Sequence, residues 1–184
     1  MDYMDSVSEI NPEKLIFIDE SGANLGMTSN YARAEGGQRI KMPKPFDTGE
    51  KFSVIGAVSL TGIVAMMYVA SAVNGDIFKA YVEQLLIPKL CRGQFVIFDN
   101  VGFHKSKELI ALIEKTGVKV VFLPPYSPDL SPIEKMWSKI KEILKRKKPR
   151  SKAEFHDALF EAITSVNDND FEEWYESCGY SIPA

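Results

Sequence analysis

The chain alternates between short apolar runs and longer stretches in which apolar residues recur at helical spacing. Runs rich in β-branched and aromatic residues predict strands at Leu15–Asp19, Phe52–Leu60, Ile63–Ala70, Phe95–Asp99 and Lys119–Leu123. Stretches with one apolar face predict helices at Asp76–Leu90, Ser106–Lys115, Pro132–Lys147 and Lys152–Val166. Phe171, Trp174 and Tyr175 lie in a short tail. This order of elements predicts an α/β fold, a mixed sheet with helices on its faces.

One uncharged segment has the length of a membrane span. Residues 54–73 carry no charged side chain over 20 positions, and a helix needs about 20 apolar residues to cross a bilayer. The segment nevertheless contains two glycines, and Leu60-Thr61-Gly62-Ile63 at its centre has the pattern of a turn between two strands. We therefore predict a buried hairpin in preference to a membrane helix, and no membrane among the partners.

Length and composition limit the number of domains. With 184 residues, of which 45% are apolar and 26% charged, the chain can bury one good core. We expect one domain over residues 1–184, with a core at 14–147 and a C-terminal helical extension at 148–184. Cys91 and Cys178 form neither a CxxC pair nor a cluster with histidine, so a zinc site or a disulfide framework has no support. The acidic N-terminus lacks the pattern of a signal peptide, so we expect a cytoplasmic protein.

Three carboxylates stand at positions that call for a functional explanation. Asp19 and Asp99 each close an apolar run, and Glu134 opens a helix. Carboxylates are unfavourable in strands, and an acid at the end of a buried run needs a counter-charge, most simply a metal ion with oxygen ligands. If the three converge they can hold two Mg²⁺ ions, for which Mn²⁺ would substitute. Asp19 would bridge the pair, while Asp99 completes one ion and Glu134 the other.

Each of these acids also has a structural interpretation. The string Ser131-Pro132-Ile133-Glu134 matches a helix capping box with proline at the first helical position. Asp19 and Asp99 could be turn residues at strand ends. Glu20 competes with Asp19 for the catalytic role, but strand alternation sends the two side chains to opposite faces of the sheet.

The strings around these acids resemble those of one family of DNA-processing enzymes. They are Phe17-Ile18-Asp19-Glu20-Ser21, then Phe98-Asp99-Asn100 with His104 beyond it, and the proline-rich Leu123-Pro124-Pro125-Tyr126-Ser127-Pro128-Asp129-Leu130-Ser131-Pro132-Ile133-Glu134. The order of strands and acids resembles the catalytic core of DDE transposases and integrases. The strings, with 34 residues between Asp99 and Glu134, resemble the bacterial insertion-sequence branch of the mariner superfamily over residues 14–180.

This resemblance implies both a fold and an activity. The fold is a ribonuclease-H-like, five-stranded mixed sheet flanked by helices. The activity is that of a Mg²⁺-dependent DDE endonuclease, which hydrolyses DNA at transposon ends and transfers the strand into target DNA, usually at a TA step, as a homodimer. Such relatives begin with helix-turn-helix modules, whereas few residues precede the first predicted strand here. We expect no N-terminal helix-turn-helix domain, end recognition by a separate helix-turn-helix protein or a frame-fused domain, and action at the nucleoid.

Asn100 and His104 are supporting candidates for the same site. His104 could contact a scissile phosphate, orient Asp99, or satisfy a loop carbonyl. Both residues follow the second acid closely in the chain. We include them among the site residues in a supporting role.

The charge distribution locates a candidate DNA contact. The net charge is −3, yet residues 135–152 hold nine lysines and arginines against one acid. The apolar stripe of the helix at 132–147 leaves Glu134 on a face with Ser138, Lys141 and Lys145. The predicted DNA contacts are Lys141, Lys145, Arg146 and Lys148, together with Arg33 and Arg39 of the polar segment at 24–50.

Two other classes of function share this sequence pattern. A different ribonuclease-H-like nuclease, such as a resolvase or an RNA–DNA hybrid nuclease, would use the same metals without strand transfer. A domesticated DNA-binding or scaffolding remnant would keep the fold without turnover. The intact set of three acids favours an enzyme over the remnant.

Overall fold

The computed structural model describes residues 3–7, 9–25, 27 and 50–182 of the chain. The strands are β1 (Leu15–Asn24), β2 (Lys51–Ser59), β3 (Gly62–Val69), β4 (Phe95–Phe98) and β5 (Lys119–Phe122). The α-helices are α1 (Tyr3–Val7), α2 (Gly75–Tyr81), α3 (Lys107–Glu114), α4 (Pro132–Lys147), α5 (Lys152–Thr164) and α6 (Asp168–Ser177). Short 3₁₀ helices lie at Pro12–Lys14, Gly102–Lys105 and Pro128–Leu130.

The five strands form one mixed sheet in the order β3-β2-β1-β4-β5. The central strand β1 pairs antiparallel with β2 and parallel with β4, and β4 pairs parallel with β5. The parallel strands need long crossovers, which α2 and α3 supply, whereas β2 and β3 join through a tight turn. The predicted mixed sheet is confirmed.

Alternation along β1 divides the core between the two faces of the sheet. Leu15 and Phe17 belong to the core that α4, α5 and α6 cover. Ile16 and Ile18 belong to the core that α2 and α3 cover. All four side chains are at most 2% exposed, because helices cover both faces of this strand. The Tyr175 hydroxyl donates to the backbone oxygen of Leu15 at 3.0 Å, which ties α6 to the central strand.

The first strand is longer than the apolar run predicted. β1 continues past Asp19 because β2 pairs with it to the end, where Asn24 lies opposite Lys51. The parallel partner β4 stops earlier, and its last pair with β1 joins Ile18 and Phe98. Asp19 therefore does not end a strand. It lies where β1 runs on past the end of its parallel neighbour.

The predicted helix at Asp76–Leu90 is a single helical stretch with three kinds of winding. α2 ends at Tyr81 and is followed by a π-helical turn at Val82–Leu86 and a 3₁₀ turn at Ile87–Lys89. Proline at position 88 lies in the 3₁₀ turn, and because it has no backbone N–H and its ring clashes with the carbonyl four residues earlier, regular α-helix cannot continue through it.

The C-terminal tail forms a helix, which the apolar pattern did not predict. The Asn167 side chain accepts from the Asp170 backbone N–H, and the Asp170 side chain accepts from the Asn167 backbone N–H. This reciprocal capping box starts α6. Phe171 and Tyr175, one helical turn apart, are buried. The many acids of this stretch obscured the pattern in the sequence.

The uncharged segment at 54–73 forms the predicted hairpin. β2 and β3 pair antiparallel, with Ser59 opposite Gly62 at the turn. In the described part of the chain, no helix has both the length and the apolar character needed to cross a membrane.

Phe171→Ala should destabilise the chain strongly, because α6 is part of the core. Phe171 is 2% exposed, and truncation of a buried phenylalanine costs about 3–5 kcal/mol. Phe160→Ala is the matched control, since Phe160 on α5 is 64% exposed and its loss should cost less than about 1 kcal/mol. Chemical denaturation measures both variants. Equal free energies of unfolding would show that α6 contributes nothing to the core.

Candidate functional site

A cavity of about 500 Å³ opens at the edge of the sheet, and all three predicted acids line it: Asp19, Asp99 and Glu134. The parallel register brings the first two together, because Ile18 pairs with Phe98 and the next residue of each segment is an aspartate. Glu134 comes from the first turn of α4, which packs across β1. Three separate elements thus contribute one acid each.

A tryptophan from α4 holds Asp19. The indole Nε1 of Trp137 donates to Asp19 Oδ2 at 3.0 Å, and the ring is buried. Gly56 lies opposite Asp19 on β2, and a Cβ atom there would stand 2.8 Å from Trp137 Cη2. The glycine therefore gives the indole the space from which it reaches the carboxylate.

Asp19 is in a strongly anionic environment. The pKa of Asp19 is raised from 3.8 to about 7, first by burial and next by the carboxylate of Glu134. Glu20 and Asp99 add smaller effects in the same direction, while a backbone hydrogen bond from Glu20 opposes them. The ionised form is thus disfavoured by desolvation and by like charge together.

Asp99 has the opposite electrostatic balance. Burial pushes its pKa upward, but hydrogen bonds from His104 and Val101 and the positive charges of His104 and Lys105 bring the pKa below its ordinary value. The Nδ1 atom of His104 lies 2.6 Å from Asp99 Oδ1. The backbone N–H of Val101 donates to the same oxygen at 3.2 Å. Asp99 is therefore ionised and oriented at neutral pH.

Glu134 does not act as a helix cap. Ser131 precedes the first turn of α4, but its side chain makes no capping hydrogen bond, so the alternative interpretation of this string as a capping box is wrong. Ser131 is only 5% exposed, and the N–H of Glu134 bonds to its backbone oxygen at 3.1 Å instead. The Glu134 side chain is exposed and lines the cavity. Helix capping therefore does not explain why a carboxylate stands at position 134.

The three acids suit a cation, although they do not form a ready-made cluster. Among the described residues, no three His, Cys, Asp or Glu side chains are grouped as metal ligands. The donors nevertheless fit Mg²⁺, which takes one or two carboxylates together with waters and phosphate oxygens. The carboxylates of Glu134, Glu20 and Asp99 all raise the pKa of Asp19, so a cation among them would relieve repulsion between like charges.

The two supporting candidates have contacts that the sequence left open. The Asn100 side chain donates to the backbone oxygen of Leu123 at 2.8 Å, which joins the segments that follow β4 and β5. His104 is fully buried and contacts Asp99 directly. Of the three roles considered for His104, the orientation of Asp99 matches this geometry.

Four of the predicted DNA contacts lie on α4 or at its C-terminal end: Lys141, Lys145, Arg146 and Lys148. Within the described ranges none of the four takes part in an ion pair, whereas Lys147, which lies between them in the sequence, pairs with Glu161 at 2.6 Å. Arg33 and Arg39, the other two predicted contacts, lie outside the described residues.

Three residues at the site were not singled out from the sequence. Lys105 lines the cavity and places a positive charge beside Asp99. Tyr126 is fully exposed at the cavity with φ of 58°, a left-handed conformation uncommon for tyrosine. Trp137 belongs to the buried apolar stripe of α4, and it also contacts Asp19. The prolines around Tyr126 are the feature of the sequence that indicates an unusual backbone there. No sequence pattern indicates the hydrogen bond from Trp137 to Asp19.

The family model described as DDE superfamily endonuclease matches residues 14–156 of the chain. The chain belongs to this family. The match includes all three acids that line the cavity. No curated protein matches the sequence.

Solved structures of the Mos1 transposase share the fold of this DDE endonuclease. The Mos1 paired-end complex with the left transposon end has a TM-score of 0.74 at 16% identity, covering 92% of this chain and 56% of the Mos1 chain. The Mos1 mariner catalytic domain has a TM-score of 0.65 at 15% identity, covering 95% and 87%. This chain therefore spans a little over half of the Mos1 chain in the complex. The expected ribonuclease-H-like fold is confirmed.

Asp19→Asn should stabilise the metal-free chain at neutral pH. Because the folded-state pKa of Asp19 is raised to about 7, the folded chain keeps a proton that the unfolded chain releases, and stability falls as the pH rises from about 4 to about 7. The variant removes this loss. Its advantage should be absent below about pH 4 and full above about pH 7, with a ceiling of about 4 kcal/mol.

Thermal unfolding across this pH range, with chelator present, measures the effect. Glu173→Gln is the matched control, because it neutralises an exposed acid on α6 far from the three cavity acids in the chain, and it should not reproduce the gain in stability. A lower melting temperature for Asp19→Asn at pH 8 would identify Asp19 as a structural anchor.

Proposed function

We propose that this DDE endonuclease is the catalytic domain of a DNA transposase, which cuts DNA at transposon ends and joins the freed strand to target DNA. One observation carries the proposal: acids from β1, from the end of β4 and from the start of α4 line a single cavity. The Mos1 structures with the same fold include a paired-end complex with a transposon end and a strand transfer complex, which supports DNA as the substrate.

We assign Asp19, Asp99 and Glu134 as the ligands of two Mg²⁺ ions, with Mn²⁺ as a substitute. When bound, such a pair activates a water or a 3′-hydroxyl and stabilises the leaving oxygen. All three acids line the same cavity, and in this assignment Asp19 would be the ligand that the two ions share. Mos1 paired-end complexes solved with Mn and with Mg support the choice of ion.

The surrounding side chains prepare this cavity for a phosphodiester. Trp137 holds Asp19 through one carboxylate oxygen, and His104 holds Asp99 through one oxygen. Lys105 supplies a positive charge at the cavity wall, where it can attract a phosphate. The exposed ring of Tyr126 offers a surface on which a nucleic-acid base can stack.

The basic end of α4 extends this surface for DNA. Lys141, Lys145, Arg146 and Lys148 neutralise phosphates in the proposed complex, with Arg33 and Arg39 as further contacts. The other partners are a second copy of the chain in the active complex and a helix-turn-helix unit, separate or fused, that recognises the ends. The target is a TA step.

Glu134→Gln should abolish metal-dependent nicking with little effect on folding. Glutamine keeps the size of this exposed side chain, so the free energy of unfolding should change by less than about 0.5 kcal/mol. Loss of a charged ligand should lower nicking by orders of magnitude. Glu142→Gln, at an exposed position of the same helix, is the matched control and should nick like the parent. The assay is nicking of supercoiled DNA in Mg²⁺, with an end-binding module supplied in trans.

Other outcomes of this assay separate the alternatives. Parental nicking by Glu134→Gln, where the parent is active, removes Glu134 from the site. Cleavage of branched or hybrid substrates without joining indicates a different ribonuclease-H-like nuclease. DNA binding without metal and without cleavage indicates a non-catalytic remnant.

The double variant Lys145→Gln/Arg146→Gln should weaken DNA binding equally for all sequences and reduce its salt dependence. Removal of each positive charge that neutralises a phosphate should lower the slope of log K against log salt by about 0.7–0.9. The control is Lys107→Gln/Lys115→Gln, which removes the same charge from exposed positions on α3 and just after it. Fluorescence anisotropy from low to physiological salt measures both. Equal slopes for the two double variants would remove the end of α4 from the DNA surface.

A further inference from the structure

The imidazole of His104 packs against two aromatic rings that also contact each other. It follows β4 in the 3₁₀ turn at Gly102–Lys105, and the residue is fully buried. The Phe98 ring stacks on it with centroids 5.1 Å apart and planes 28° apart. The Phe78 ring of α2 lies on it with a centroid distance of 4.5 Å. Contacts from both a strand and a helix thus fix the plane of the imidazole, so its edge nitrogens point in set directions.

Each ring nitrogen lies beside a carboxylate. Nδ1 is 2.6 Å from Asp99 Oδ1, and Nε2 is 3.0 Å from Glu20 Oε1. With both nitrogens protonated, the ring donates to both acids. The Glu20 side chain is 16% exposed and that of Asp99 is 38% exposed. The ring therefore connects a largely buried acid to the acid that lines the cavity.

Glu20 is connected to Asp99 through His104, on the face of the sheet opposite to Asp19. Side chains alternate along β1, so Asp19 lies toward Trp137 of α4, while Glu20 lies toward the layer that holds Phe78 and His104. The adjacent pair Asp19-Glu20 thus serves one cavity from two sides. Asp19 lines the cavity, and Glu20 is connected to Asp99 through His104.

We propose that Glu20 is a positioning residue for Asp99, acting through His104. The inference rests on the proposed function, because it gives the orientation of Asp99 a catalytic purpose. The hydrogen bonds from His104 and Val101 to Asp99 both use Oδ1, so neither engages Oδ2, and the fixed ring sets how the carboxylate is presented to the cavity. Partners that hydrogen-bond a ligating carboxylate typically contribute about 10–100-fold in metal affinity or activity.

Two substitutions of Glu20 separate positioning from simple packing. Glu20→Met keeps the length of the side chain and removes the acceptor, whereas Glu20→Gln keeps an oxygen that can accept from Nε2–H. Glu108→Gln is the matched control, because it neutralises an exposed acid on α3, in the same layer but paired with Lys79. Each variant is titrated with Mn²⁺ by calorimetry and assayed for nicking against Mn²⁺ concentration.

Glu20→Met should raise the Mn²⁺ concentration for half-maximal nicking, and weaken Mn²⁺ binding, by about 10–100-fold. Glu20→Gln should recover most of this loss, and the KM for DNA should stay near the parental value in both. A packing role would instead lower the melting temperature of the metal-free chain without a selective effect on Mn²⁺.

A double-variant cycle tests whether Glu20 acts through His104. The amide nitrogen of asparagine takes the place of Nδ1, so His104→Asn keeps a donor for Asp99 but no longer reaches Glu20. In that background Glu20→Met should add no further loss, since the connection is already cut. Equal losses in the two backgrounds would overturn the proposal.

Parental Mn²⁺ dependence of Glu20→Met would also overturn it. Should Glu20→Met lose its cooperative unfolding transition, His104→Asn takes its place, and parental Mn²⁺ dependence there would count against the proposal equally. A parent that neither binds Mn²⁺ nor nicks DNA contradicts the proposed function and this inference with it. An active parent beside an unaffected Glu20→Met contradicts only the inference.

Discussion

Two aspartates on neighbouring parallel strands impose the constraint on which the site depends. The register that pairs Ile18 with Phe98 makes Asp19 and Asp99 neighbours at the end of β4. Burial and the neighbouring carboxylates oppose the ionisation of Asp19, whose pKa is raised, whereas the hydrogen bonds and positive charges around Asp99 lower its pKa. The fold provides each aspartate with one ring N–H donor, from Trp137 for Asp19 and from His104 for Asp99. Each hydrogen bond orients one carboxylate, and the negative charge of the three acids in the cavity is not fully neutralised.

Helix α4 combines several of these functions. Its first turn supplies Glu134, its next turn supplies Trp137, and its C-terminal end carries the basic residues. Gly56 lets the indole pack closely enough to reach Asp19, so a missing side chain on β2 contributes to the geometry of β1. The buried stripe of the helix is continuous with the main core. Core packing and site geometry therefore depend on the same contacts.

The sequence predicted the features that depend on local pattern. Apolar runs located the five strands, and the stripe of α4 placed Glu134 on its exposed face. The length of β1 was mispredicted because it depends on pairing with β2, which a run of apolar residues does not encode. The capping box at Ser131 failed because the direction of one side chain decides it. The contact between Glu20 and His104 joins residues 84 positions apart, so it depends on the pairing of β1 with β4 and on the packing of His104 against Phe98 and Phe78.

The location of metal ions in the folded chain tests the central claim most directly. Crystals soaked in Mn²⁺ and measured at the manganese absorption edge should show anomalous density in the cavity, with ions about 3.5–4 Å apart and bound to carboxylate oxygens of Asp19, Asp99 and Glu134. Well-diffracting crystals with no anomalous density in this cavity, or with manganese held only by other residues, would contradict the assignment of these three acids as the catalytic ligands.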